Sequence, residues 1–274
     1  MKKYIFLVIT LLAILVYYAG SNVNKIEVIR IGTECDYAPN NWEEDKATDS
    51  NIPLANKKGF YAEGYDIQIA KAVADRIGAK LEVKKFAWQD LIPALQRREI
   101  DAIFSGMDDT DERKKIIAFS ETYDFQETEY IIMVYKNGKY ARAKKLNDFF
   151  GAVITGQEGT FFDKAVEQIP GAIHTTPVDT FHKMFEKLSQ HEVDGIVMDL
   201  DSGKMYVKNH TDLILIRFPK NEGFKFDFTG ICAGVRKRDA TLLNAINDAL
   251  SDLSKRDRQK IMDRTIAREW QNIF

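Results

Sequence analysis

Three features of the 274-residue sequence predict an α/β fold in two similar lobes. Short apolar runs rich in β-branched residues alternate with segments carrying apolar residues at helical spacing, the pattern of a doubly wound, mostly parallel sheet. A short motif recurs: "REIDAIFSG" (98–106) and "HEVDGIVMD" (191–199) both run from a helix end through Glu, a β-branched residue and Asp into a buried strand. Strand-like stretches near 124–130 and 219–229 are suited to carry the chain between lobes, as two hinge crossings. The division is therefore 1–21 for a leader, 24–125 for the first part of lobe 1, 126–222 for lobe 2 and 223–274 for the return to lobe 1.

The elements follow in order. Lys2 and Lys3 precede an apolar run, 4–20, that is long for a signal core and short for a spanning helix. Export is favoured over a buried core helix. Ala19 or Gly20 offers a small residue for cleavage, with Tyr17 and Tyr18 just upstream, so an uncleaved anchor stays open. No Cys precedes Cys35, so there is no lipoprotein acceptor. Residues 25–33 alternate as a strand. Residues 66–78 form a helix with Ile69, Val73 and Ile77 on one face, Asp66 at its N-cap and Gly78 past its end. Residues 80–86 are a strand, 90–99 a helix with Pro93 in its first turn, and 101–105 a strand. Between them, 39–64 is a long polar excursion.

Lobe 2 repeats the pattern, with a strand at 151–157, a helix opened by Thr160, a helix over 180–190 and a buried strand at 194–199. Phe181, Phe185 and Leu188 share one face of the second helix. The chain closes with a strand from 228, a helix over 240–254 and a charged helix to about Trp270.

Composition narrows the function. Hydrophobic residues make up 45% and charged residues 29%, as in a soluble globular chain. A net charge of −2 argues against nucleic acid. Four scattered histidines give no metal-ligand spacing, and no cofactor is expected. An exported chain can pair its cysteines, but Cys35 and Cys232 lie in separate strand-like segments, which favours two buried free thiols.

Ligands of open α/β sheets bind beyond the carboxyl ends of the strands. Glu34–Tyr37, Trp88, Ser105–Arg113, Gln157–Phe161 and Met198–Asp199 all fall there. They offer a fixed cation (Arg113), backbone donors near Gly106 and Thr160, and an anion (Asp199). An α-amino acid presents a carboxylate and an ammonium close together, and a cleft with Arg on one wall and Asp on the other matches that pair. Each residue also has a plainer reading. Arg113 beside Lys114 and Lys115 suits a solvated helix face, Asp199 a helix cap, Glu34 a surface acid, and Tyr37 and Trp88 the core.

These stretches, "IRIGTECDYAP" (29–39), "GYDIQIAKAVADRIG" (64–78), "WQDLIPALQRREIDAIFSGMDDTDER" (88–113), "GQEGT" (156–160) and "DGIVMD" (194–199), resemble the polar-amino-acid solute-binding proteins of ABC importers. That family includes the lysine/arginine/ornithine-, histidine- and glutamine-binding proteins, and the resemblance covers nearly all of the chain after residue 25. It implies a two-lobed periplasmic binding protein of type 2, monomeric and exported, that captures a free L-amino acid and delivers it to a membrane permease without a reaction. It implies that Arg113 grips the ligand carboxylate. The backbone at Ser105, Gly106, Asp108, Thr160 and Phe161 adds hydrogen bonds, and Asp199 holds the ammonium. Tyr37 and Trp88 would sandwich the side chain, and Glu34 stands where cation-selective relatives place an acid. Arginine is expected first and lysine next, with glutamine or another polar amino acid the alternative. The chain departs from the family pattern at Asn40, where relatives usually carry an aromatic, at Phe161, often Thr, and in the length of 39–64. An enzyme on this fold, such as a cyclohexadienyl-dehydratase-like protein, would draft Glu34 as acid or base and leave Asp199 unused. A sensor would need a further signalling segment.

Overall fold

The computed structural model describes residues 26–124, 127–219 and 222–272. The leader expected at 1–21 lies outside them, as do residues 125–126 and 220–221 of the two expected crossings. After β1 (Val28–Thr33) come four short strands, β2 (Asp36–Tyr37), β3 (Asn41–Glu44), β4 (Ile52–Pro53) and β5 (Tyr61–Glu63). They pair antiparallel in the order β2-β3-β5-β4. The polar excursion at 39–64 is thus a small sheet. Its strands are two to four residues long, too short for a period-2 pattern to stand out. Buried polar groups hold it: Glu63 accepts from Gln68 Nε2 at 2.9 Å and from the Gly64 N–H at 3.0 Å, as well as from the Ser50 hydroxyl.

α1 (Tyr65–Ile77) corrects a second expectation. Its N-cap is Gly64, and Asp66 lies inside the first turn, fully buried. The carbonyls of Pro39 and Asn40 take the Tyr65 and Asp66 N–H groups, at 3.0 and 2.8 Å, so the helix starts earlier than the cap residue suggests. The Asp66 carboxyl instead accepts from Tyr123 Oη and Asn41 Nδ2, both at 2.7 Å. Gly78 ends the helix in the left-handed conformation expected.

β6 (Lys80–Lys85), α2 (Leu91–Gln96), β7 (Ala102–Ile103), α3 (Asp111–Lys114) and β8 (Ala118–Thr122) complete the first passage through lobe 1. In lobe 2 the chain runs through β9 (Tyr130–Tyr135), β10 (Val153–Thr155), α4 (Phe161–Val166), β11 (Ile173–His174), α5 (Phe181–Ser189), β12 (Gly195–Asp199), α6 (Leu200–Asn209) and β13 (Leu213–Ile216). It returns through β14 (Cys232–Val235), α7 (Ala240–Ser251) and α8 (Lys255–Asn272). The lobe 1 sheet has the order β6-β1-β7-β14-β8, and the lobe 2 sheet β11-β10-β12-β9-β13. Each has a parallel part, β6-β1-β7 or β11-β10-β12, completed by two antiparallel pairings, through the strand that enters from the other lobe (β14 or β9) and the strand that leads out to it (β8 or β13).

The recurring motif has a structural basis. Arg98 and His191 both adopt positive φ, 64° and 58°, just past a helix. The following Glu99 and Glu192 N–H groups bond back to Ala94 and Lys187 carbonyls, closing each helix in the same way. Asp101 and Asp194 then fasten the next strand by accepting from the Arg30 and Val153 N–H groups, at 3.2 and 2.8 Å. Each sheet buries its own apolar cluster, Ile29, Ile31, Ile69 and Val83 in lobe 1 and Ile132, Ile154, Ile196 and Met198 in lobe 2. Cys35 and Cys232 are buried free thiols. Among the described residues no helix is long and apolar enough to cross a membrane.

Candidate functional site

The lobe 1 wall is built where β1, β6 and β7 end. The Glu34 N–H, one residue past β1, donates to Ser105 Oγ at 2.9 Å, and the Cys35 N–H to Asn41 Oδ1 at 2.8 Å. These bonds tie the loop leaving β1 to the Ser105-Gly106 turn and to β3. Gly106 has φ +60°, and a Cβ there would stand 2.8 Å from the Tyr37 ring. Glycine is needed on both counts. Thr110 caps α3, its Oγ1 accepting from the Arg113 N–H at 3.4 Å. The Arg113 guanidinium donates from Nη1 to the Asp108 carbonyl at 2.8 Å and from Nη2 to the Gly159 carbonyl of lobe 2 at 2.9 Å. It lies 5.1 Å from the centre of the Trp88 ring, whose Nε1 donates to the same Gly159 carbonyl at 3.3 Å.

The lobe 2 wall is built where β10 and β12 end. Thr160 caps α4, accepting from the Phe162 N–H at 3.1 Å and donating to the Gln157 carbonyl at 2.7 Å. Phe161 packs on Tyr130, with ring centres 4.5 Å apart. Asp199 caps α6 through Oδ1, which accepts from the Ser202 N–H at 2.9 Å. Its Oδ2 accepts from Tyr37 Oη across the cleft at 2.7 Å. Asp199 is thus a helix cap and a cleft residue together.

Glu34, Tyr37, Trp88, Ser105, Gly106 and Asp108 of lobe 1 and Thr160, Phe161 and Asp199 of lobe 2 line one cavity of about 60 Å³ between the lobes. Arg113 is the expected residue outside that lining; its guanidinium stands behind Asp108, against Trp88 and Gly159. Gln157, from the stretch expected at 157–161 but given no role there, also lines the cavity, as do Asp124 and Tyr130, which were not expected in the site. Gln157 carried a signal, since it lies within the "GQEGT" run. Asp124 and Tyr130 bound the crossing expected at 124–130; that this crossing borders the cavity is visible only in the folded topology. A neighbouring cavity of about 420 Å³, bordered by Asp36, Trp42, Lys85, His182 and Tyr206, contains none of the expected residues.

The site is strongly acidic. Glu34 is 5% exposed, and burial, then the nearby Asp36 charge, pushes its carboxyl up to about 8. Burial raises Asp108 to about 7 against the opposing pull of Arg113, and raises Asp124 to about 7. Asp199 is raised by burial, which outweighs its bonds from Ser202 and Tyr37. Burial lowers the Arg113 guanidinium, with Asp108 opposing. Among the described residues no cluster of His, Cys, Asp and Glu is arranged to hold a metal.

Two α/β lobes, two crossings and a site walled by both define a two-lobed periplasmic binding protein of type 2. The chain belongs to the bacterial extracellular solute-binding proteins, family 3, whose sequence profile matches residues 29–267. It is similar to "Putative ABC transporter arginine-binding protein 2" of Escherichia coli K12, 26% identical over 245 residues, which are 89% of this chain and 93% of the relative. Among solved structures it is similar to an ancestral arginine-binding protein bound to arginine, with a TM-score of 0.72, 28% identity and coverage of 88% of this chain and 99% of the other. An ancestral arginine-binding protein bound to glutamine gives a TM-score of 0.70 at 29% identity, covering 86% and 96%.

Proposed function

We propose that the protein is the extracytoplasmic binding component of an ABC importer. It takes a cationic amino acid, arginine before lysine, into the inter-lobe cleft and presents it to a membrane permease. Arg113 receives the carboxylate, Asp199 the ammonium, and Glu34 the cationic tip between Tyr37 and Trp88. No bond of the ligand is made or broken. The observation that carries this reading is the charge around the cavity. Glu34, Asp108, Asp124, Asp199 and Asp201 line it, and Arg113 is the cation set against them. Among the described residues Glu34 has no ion-pair partner, although it is buried. A buried carboxylate facing a matching cation gains Coulomb energy, whereas facing a neutral amide it keeps most of its desolvation cost. The arginine-bound and glutamine-bound relatives make glutamine the comparison that matters.

Calorimetric titration against the twenty amino acids tests the reading. Arginine should bind most tightly, lysine next and glutamine more weakly. Glu34→Gln should reduce arginine affinity by about tenfold or more, ~1.4 kcal/mol, and leave glutamine unchanged or improved. An arginine-to-glutamine ratio unmoved by Glu34→Gln removes the cationic assignment. Export through the leader, with or without its retention as a tether, completes the proposal and is checked by fractionating cells that express the full chain.

A further inference from the structure

The turn between β10 and α4, residues 156–160, touches three lobe 1 groups at once. The Gly159 carbonyl accepts from Arg113 and Trp88, and Gln157 Nε2 donates to Glu34 Oε1 at 2.5 Å. Gln157 is 2% exposed and held from several sides. Its carbonyl accepts from both the N–H and the hydroxyl of Thr160, at 3.2 and 2.7 Å. The next N–H, of Glu158, bonds the Val178 carbonyl at 2.7 Å. Gly156 keeps the turn against α4, since a Cβ there would fall 2.4 Å from the Asp163 nitrogen. The side chain is thus delivered to Glu34 from the opposite lobe by a fixed piece of backbone.

We propose that Gln157 is a positioning residue for Glu34: closing the lobes brings its amide onto one carboxylate oxygen, which fixes the orientation of the acid and favours its charged form against a cationic ligand tip. The inference rests on the amino-acid reading of the cleft and assigns side-chain selection to both lobes. An N–H donated to a carboxylate is a charge-assisted bond, stronger to the anion than to the neutral acid. The other charged groups facing Glu34 are Asp36 and Asp179, which oppose its ionisation, and Lys85, which supports it. Gln157 therefore acts with Lys85 against burial and two acids. Its help matters when Glu34 must be an anion, as for arginine. It matters little when Glu34 stays neutral, as beside glutamine.

The test is a double-mutant cycle by calorimetry on the wild type, Gln157→Met, Glu34→Gln and the double variant, with arginine and glutamine as the two ligands. Met keeps the length and apolar bulk of the side chain and removes the donor. Gln157→Met should weaken arginine about tenfold and glutamine less than threefold, and should cost arginine binding little once Glu34 is already Gln. A purely structural role would weaken both ligands equally in both backgrounds, and that result overturns the proposal. Equal affinities of Gln157→Met and wild type for arginine overturn it too, while leaving the cationic reading intact. A wild-type protein that takes neither ligand overturns both.

Discussion

Arg113 illustrates how a single residue is fixed before any ligand arrives. Within lobe 1 alone, Thr110 caps its short helix, Trp88 covers one face of the guanidinium, and the Asp108 carbonyl accepts from its edge. The planar fork suits a carboxylate bidentately, which a lysine ammonium cannot reproduce. Arg113→Lys is therefore expected to weaken amino-acid binding at least tenfold while the melting temperature of the ligand-free protein barely changes. Wild-type affinity in isothermal titration would remove Arg113 from the carboxylate role. Glu34 gives a prediction of opposite kind, in pH. Its carboxyl is raised to about 8 when folded, so the folded chain holds a proton that the unfolded chain releases near the ordinary carboxylate pKa. The contribution to stability is fully present below that ordinary value and is lost as pH rises through about 8. Glu34→Gln removes the loss. The ligand-free variant should melt above wild type at pH 9, by at least about 2 °C, and close to it at pH 5. Equal melting temperatures at pH 9 would mean that the acid is not held in a desolvated site. The residue types of this site were legible in the sequence because they fall at strand ends on one side. The buried state of Glu34 was not, because the loop leaving β1 gives no sign of Gln157 arriving from 123 positions away.

At the scale of elements, the long amphipathic helices and the buried strands followed their periodicity, whereas β2–β5 did not. Two- to four-residue strands carry too few side chains to show alternation, and their polar content reads as loop. Asp66 misled for a related reason: a cap residue type was present, but tertiary hydrogen bonds from the Tyr65 and Asp66 N–H groups to the Pro39 and Asn40 carbonyls set the helix start. The repeated motif read better than its length warranted, because it encodes a helix stop and a strand clamp in six residues. That geometry makes a further prediction. Arg98 holds φ +64°, a conformation costing an L-residue roughly 1 kcal/mol. Arg98→Gly removes that cost, and the greater freedom of glycine in the unfolded chain offsets only part of it. The variant should gain up to about 1 kcal/mol of stability in urea denaturation with an unchanged m-value. A loss of stability would show that the Arg98 side chain contributes more than its backbone costs. His191, the equivalent residue in lobe 2, stacks on Tyr135 with ring centres 4.3 Å apart, so the same substitution there should gain less.

The whole molecule is a closed arrangement held by contacts between lobes: Tyr37 to Asp199, Gln157 to Glu34, the His182 N–H to Asp36 at 2.9 Å, Arg113 to Gly159, and the Lys164–Glu112 ion pair. A cavity of about 60 Å³ with walls from both lobes admits an amino acid only if the lobes part. The crossings are where we expect that motion. The chain leaves lobe 1 after β8 and returns before β14, and Asp124 on the first crossing accepts from the Ile231 N–H on the second at 3.0 Å. Arg258 of α8 donates to the Thr122 carbonyl at 2.8 Å, anchoring the root of the first crossing to lobe 1. Rotation of lobe 2 about this tied pair would break the inter-lobe bonds while leaving both sheets intact. A ligand that touches Arg113 on one side and Asp199 on the other has its full set of contacts only when the lobes meet, so it must favour closure by its differential affinity. Asp36→Asn weakens one inter-lobe bond without touching the cavity lining, because the charge facing the first turn of α5 is lost. Small-angle scattering should therefore show a smaller radius of gyration for wild type with saturating arginine than without it. The ligand-free Asp36→Asn protein should be at least as expanded as ligand-free wild type, and saturating arginine should compact it to the same end point. Scattering curves that superimpose with and without arginine, in a protein that calorimetry shows to bind it, would mean that the two lobes form one rigid domain or that the ligand-free protein already rests closed, and would remove the ligand-driven closure.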